Sequence, residues 1–79
     1  MPTRQELRRL RKEVKAALTL AIAARAPWDT TDLLAAASGM LEALAEVPDH
    51  VLIPAVLERS RNALKVFRQW EQESHHPAA

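Results

Sequence analysis

The chain has no cysteine and only one glycine among its 79 residues. Without cysteine it has no disulfide, no thiolate nucleophile and no zinc site with sulfur ligands. With a single glycine it cannot form a glycine-rich phosphate-binding loop. A chain without cysteine suits a reducing compartment, and we expect a cytoplasmic protein.

Aromatic residues are also scarce: there are two Trp, one Phe and no Tyr. β-branched residues never accumulate in an alternating run, so no strand is predicted. Hydrophobic residues nevertheless make up 48% of the chain, and strong helix formers dominate it. We predict one all-α domain over 1–79, too short for a second domain and thin in stability.

Long apolar runs are missing as well. No run approaches the roughly 20 apolar residues that cross a bilayer, so no membrane partner is expected. The apolar stretch 16–24 follows basic residues, as in a signal peptide. However, Pro27 follows closely and Glu6 and Glu13 interrupt the basic region, so we interpret the stretch as part of an amphipathic helix.

The first predicted helix spans about 3–25. Thr3 and Glu6 have the spacing of a capping box, and Pro27 ends the helix because the residue before a proline avoids helical geometry. Its apolar residues recur at three- and four-residue steps and form one stripe. The stripe contains Leu7, Leu10, Val14, Leu18 and Ile22, widened by Ala17, Ala21 and Ala24.

The second predicted helix spans about 29–46. Asp29 is a good N-cap, and Trp28 and Leu33 have the spacing of a hydrophobic staple. Gly39 lies in mid-helix, where it predicts a kink or a close approach between helices. The apolar stripe contains Leu33, Leu34, Ala37, Met40, Leu41 and Leu44.

The third predicted helix spans about 50–73. Asp49 can cap a turn over 50–53, and Pro54 suits the first turn of the longer helix that continues from there. The tail 74–79 is expected to fray. The apolar stripe contains Ile53, Val56, Leu57, Ser60, Ala63, Leu64, Phe67 and Trp70.

Short connections make consecutive helices antiparallel neighbours, so an up-down-up three-helix bundle is predicted. The alternative is a helical hairpin that completes its core by dimerising, and the small size makes a homo-oligomer as plausible as a monomer. Trp28 and Trp70 fall at the same end of the bundle, which they are expected to close.

Five basic residues lie near the start of the first helix, where the helix dipole disfavours cations. In helical projection they fall within a sector of about 100°, beside the apolar stripe. Residues 1–25 carry a net charge of +5, and residues 26–50 carry −5. This basic stripe contains Arg4, Arg8, Arg11, Lys12 and Lys15.

The basic stripe has two interpretations. It can pair with the acidic second helix, although Glu42 and Glu46 project away from that helix's apolar stripe and are expected to face solvent. Alternatively, it binds an acidic surface, either of a protein or of a nucleic acid. A pI near 8.3, the lack of aromatic residues among the bases and the lack of a helix-turn-helix pattern count against nucleic acid.

Three apolar residues suggest a second surface. Leu20 projects away from the stripe of the first helix, and Val66 lies at the edge of the stripe of the third. With Trp70, a residue type enriched in binding hot spots, they can form an interface with a partner or with a second copy.

No catalytic constellation is apparent. His50, His75 and His76 are the only histidines, and Ser, Thr and His never take a nucleophile spacing. We expect no metal, no cofactor and no small-molecule substrate. The predicted function is a small non-enzymatic interaction protein, such as a regulator, adaptor or assembly subunit. The alternative is a nucleic-acid-binding protein that contacts phosphates through the basic stripe.

Overall fold

A computed structural model describes residues 3–47 and 50–74. The helices are α1 (Thr3–Ala23), α2 (Trp28–Leu44) and α3 (Ile53–Ser74), and the ranges described contain no strand. The three helices pack on one another, which confirms the predicted all-α three-helix bundle. The predicted cap at Asp49, the side chain of Thr3 in the predicted capping box and the tail after Ser74 lie outside the described residues.

The C-terminus of α1 is a Schellman motif, in which the turn after the helix satisfies its last carbonyls. The Arg25 N–H donates to the Ile22 carbonyl at 3.2 Å, and the Ala26 N–H donates to the Ala21 carbonyl at 2.9 Å. Arg25 has a φ of 55°, the left-handed conformation that this motif requires. The helix therefore ends at Ala23, two residues before the predicted end.

The start of α2 differs from the prediction. Pro27 is the N-cap, with φ −52° and ψ 142°, and its carbonyl accepts the Thr31 N–H at 3.1 Å. Asp29 therefore lies inside the first turn, where its carboxylate accepts the Thr30 N–H at 3.0 Å. The predicted Asp29 cap is wrong, and so is the staple, because Trp28 is already helical.

The start of α3 is prepared by a turn at His50. The His50 imidazole Nδ1 accepts the Leu52 N–H, and the His50 carbonyl accepts the Ile53 N–H, both at 3.1 Å. Pro54 then occupies the first turn, as predicted. N–H groups in the first turn have no partner within the helix, so the missing N–H of proline costs no hydrogen bond there.

The core side chains of each helix recur at alternating three- and four-residue steps. This spacing averages 3.5 residues, which keeps one seam of a helix facing its neighbours along the whole bundle. The seams are Leu7, Leu10, Val14, Ala17 and Ala21 in α1, Thr30, Leu34, Ala37 and Leu41 in α2, and Ile53, Leu57, Ser60, Leu64 and Phe67 in α3, with Val56 and Ala63 beside the last.

Three residues predicted for the apolar stripes lie at the surface: Ile22, Ala24 and Leu33. Ile22 is 61% exposed and Leu33 is 41% exposed, whereas the adjacent Ala21 and Leu34 are fully buried. A stripe that advances in successive four-residue steps rotates away from the 3.5-residue seam. The stripe predicted for α1 does this after Val14, so its last member lies outside the core.

Interhelical ion pairs match the up-down-up topology. Glu6 contacts Arg61 at 2.8 Å, and Glu13 contacts Arg68 at 3.9 Å. From the first pair to the second, both partners move seven residues toward the C-terminus, one along α1 and the other along α3. The two helices therefore run parallel. Exposed pairs of this kind contribute only about 0–1 kcal/mol each, so they support the register more than the stability.

Gly39 does not mark a close approach between helices, which was one of the two alternatives predicted for it. A Cβ built on it meets no atom within 4 Å, and the residue is exposed. We therefore expect Gly39→Ala to raise the free energy of unfolding by about 1 kcal/mol, since alanine is the better helix former. Urea denaturation measures this change. The reverse substitution at exposed Ala43 should lower the free energy by a similar amount, and an unchanged Gly39→Ala variant would contradict the expectation.

Candidate interaction surfaces

The basic stripe lies along α1. Arg8, Arg11, Lys12 and Lys15 border one shallow depression of about 250 Å³. Arg4 borders an adjoining depression of about 160 Å³ with Arg8 and Arg11, next to Glu46 in the turn after α2. The structure thus brings the five predicted basic residues onto one continuous strip of surface.

Part of the basic stripe is paired with α2. The Glu42 carboxylate lies 3.2 Å from the Arg11 guanidinium and 3.6 Å from the Lys15 ammonium. Glu42 is exposed, as expected, and its carboxylate nevertheless reaches the bases of α1. It follows Leu41 by one residue, about 100° around the helix, which places it on the flank toward α1. From there its side chain reaches the bases.

Among the residues that the structure describes, the other three bases have no such partner. In the described part of the chain, no carboxylate lies within 4.0 Å of a charged nitrogen of Arg4, Arg8 or Lys12. All three side chains are exposed. The basic stripe therefore keeps a positive, solvent-facing edge.

Val66 and Trp70 do not line the groove that Leu20 borders. Leu20 is 54% exposed and borders this groove of about 220 Å³ with Phe67 of α3. Trp70 packs partly into the core, with its ring centroid 6.0 Å from that of Phe67. Trp70 is therefore partly buried near the C-terminal end of α3, the end that it was predicted to close together with Trp28.

Trp28 does not close that end, contrary to the prediction, because it is 79% exposed. It lies two residues before the seam residue Thr30, a rotation of about 200°, which directs it away from the core. Trp28 and the exposed Ile22 are the walls of an open concavity of about 420 Å³ between the end of α1 and the start of α2. We call this concavity the Trp28 groove.

The lining of the Trp28 groove includes three alanines and two charged residues. Ala21, Ala26 and Ala35 contribute to its lining, and Arg25 and Asp32 bring one charge of each sign. Sequence analysis missed this surface because it assigned Trp28 to a staple and Ile22 to the core stripe. The three-four alternation of Leu7, Leu10, Val14, Ala17 and Ala21 was the signal that places Ile22 outside the core.

A second group of exposed apolar residues lies at the opposite end of the bundle. Val47, Val51 and Leu52, in the connection between α2 and α3, are 46%, 85% and 55% exposed. Scattered apolar residues are normal on protein surfaces. The Trp28 groove combines two large exposed apolar side chains with a concavity, so it is the candidate binding site that we favour.

Residues 3–47 and 50–74 contain no group of three His, Asp or Glu residues placed to hold a metal ion. His75 and His76 lie outside those ranges. Among the helices described, none combines the length and apolar character needed to cross a membrane.

Comparison of the chain with protein-family models, with curated proteins and with solved structures gave no match.

Proposed function

We propose that this protein is a non-enzymatic protein-interaction module of the cytoplasm, acting as a regulator, adaptor or assembly subunit. It binds a macromolecular partner through exposed helix faces. The observation that carries this proposal is the Trp28 groove, where Trp28 is 79% and Ile22 61% exposed beside a lining of alanines.

The energetic argument rests on the exposed tryptophan. A buried Trp removes about 150–250 Å² from water, and Trp is enriched among the residues that dominate binding energies. Trp28 contributes little of this to the folded monomer, because most of its surface remains in solvent. A partner that covers the groove gains that burial without unfolding any part of the bundle.

The test is affinity capture from a lysate of the cells that produce the protein. We expect the immobilised protein to retain defined polypeptides, and a Trp28→Ser/Ile22→Ser variant to lose them. The matched control is Val51→Ser/Leu52→Ser, which removes apolar surface at the opposite end of the bundle. Both variants change exposed residues, and circular dichroism should confirm that each remains folded. Equal retention by the protein and the groove variant would contradict the proposal.

Nucleic-acid binding is the second candidate, and the arrangement of the basic stripe favours it. Arg8, Arg11, Lys12 and Lys15 border one depression, and Arg8 and Lys12 have no acidic partner within 4.0 Å among the described residues. Basic side chains in such a row bind phosphates by releasing counterions, so binding would weaken steeply with salt.

Fluorescence anisotropy of labelled DNA and RNA across a salt series tests this candidate. If it holds, non-specific dissociation constants of about 10⁻⁴–10⁻⁶ M are expected, together with a clear loss in Arg8→Ala/Lys12→Ala. Arg59→Ala/Lys65→Ala removes the same charge from α3 and is the control. No binding at low salt, or an equal loss in both variants, would exclude the basic stripe as a nucleic-acid site.

A further inference from the structure

We propose that the partner of the Trp28 groove is a second copy of this chain, and that two copies form a symmetric dimer face to face through α1 and α2. This inference rests on the proposed function and names its partner.

The apolar part of the face is complementary to itself. The walls of the groove are the large exposed side chains of Trp28 and Ile22, and its lining includes the small residues Ala26 and Ala35. A twofold interface brings the same patch of both copies together. The protruding Trp28 side chain of each copy then lies against the alanines that line the groove of the other copy. One sequence thus supplies both the protruding residue and the groove that receives it.

The charged residues at the groove of one copy also complement those of a second copy. Arg25 lies at the end of α1 and Asp32 near the start of α2, so they border the groove from its two helices. The two side chains form no ion pair with each other within 4.0 Å. A twofold axis parallel to the helices places α1 of one copy over α2 of the other, and it creates two Arg25–Asp32 pairs between the copies.

The same axis matches the charges along the rest of the face. The exposed basic edge of α1 then lies over the α2 side of the second copy, which carries Glu42 and Glu46. A twofold axis perpendicular to the helices would instead place the apolar groove over the basic stripe. Electrostatic complementarity therefore selects the parallel axis.

The dimer needs nearly the whole α1–α2 face, not the groove alone. Stable interfaces bury about 800 Å² on each partner. With 21 residues, α1 is about 32 Å long, and the bundle is 20 Å across its intermediate dimension. The groove alone is smaller than such an interface, so the charged part of the face is needed as well. The dimer thus gives a reason for placing bases at the start of α1, where the helix dipole opposes them.

Charge reversal tests this arrangement with purified protein. Sedimentation equilibrium over a concentration series should show a monomer–dimer equilibrium for the natural sequence. Arg25→Asp and Asp32→Arg each place like charges opposite one another twice, and each should weaken the dimer about tenfold or more. An equimolar mixture of the two variants restores both pairs as opposite charges, so it should form a heterodimer about as stable as the original dimer.

A further variant tests the apolar contact. Trp28→Ala should weaken the dimer about thirtyfold, the expected loss for a hot-spot residue. Since Trp28 is mostly exposed in the monomer, this variant should keep its helical circular dichroism.

A natural sequence that stays monomeric at several hundred micromolar would overturn the dimer. So would a dimer that persists in all three variants, or a mixture of charge variants that fails to associate. A monomeric protein whose capture of another polypeptide depends on Trp28 would overturn the dimer alone and leave the proposed function standing.

Discussion

Replacing Leu34 with alanine is expected to lower the free energy of unfolding by about 3 kcal/mol. Leu34 is fully buried in the core, so the substitution removes apolar contacts and leaves a cavity that close-packed neighbours fill only in part. A chain of this length has only about 4–12 kcal/mol of stability in total. Urea denaturation followed by circular dichroism measures the change, at one protein concentration because association would add to stability.

The adjacent residue is the matched control for this prediction. Leu33 is the same residue type on the same helix, but it is 41% exposed. We expect Leu33→Ala to cost only about 0.5 kcal/mol, as for other surface substitutions. Equal losses at the two positions would show that α2 is rotated relative to the bundle described above.

The second large effect is expected from overpacking. Ala37 is 1% exposed in the seam of α2, where the small side chain lets the helices approach closely. Ala37→Leu places a larger side chain between closely packed helices. The resulting steric strain should lower the free energy of unfolding by about 2 kcal/mol. For a chain of this size, that corresponds to a fall in Tm of about 10 °C. Thermal unfolding monitored by circular dichroism measures it.

Its control is the neighbouring alanine. Ala36 is exposed, and leucine is nearly as good a helix former as alanine, so Ala36→Leu should change stability by less than about 0.5 kcal/mol. A tolerated leucine at Ala37 would mean that the helices have room to separate there, in conflict with the seam assignment.

The positions that sequence analysis predicted well are those set by local chemistry and by repetition along one helix. Every apolar residue predicted for the stripe of α3 is buried or, in the case of Trp70, partly buried against the core. The end of α1 was predicted only approximately. The Schellman turn requires a left-handed backbone at Arg25, a conformation that arginine rarely adopts. The sequence around Arg25 therefore does not predict this turn.

The candidate site was predicted only in part. The basic stripe follows from helical projection, and the structure brings its residues together along α1. The Trp28 groove was missed because a large apolar residue near a helix start is equally compatible with a core position and with the surface. Only the rotation of α2 about its axis, set by Leu34 and Leu41 in the core, decides between them.

The sequence by itself determined the helices, their approximate lengths and the strip of bases on α1, because helix propensity, proline positions and residue spacing act within one segment of chain. The tertiary structure decided which apolar residues are buried, which bases meet Glu42 and where Trp28 projects. Those outcomes depend on how three helices rotate to share one core. Rotating α2 by one residue position, about 100°, would bury Leu33 in place of Leu34. The same rotation would change which side chains are available at the surface for binding.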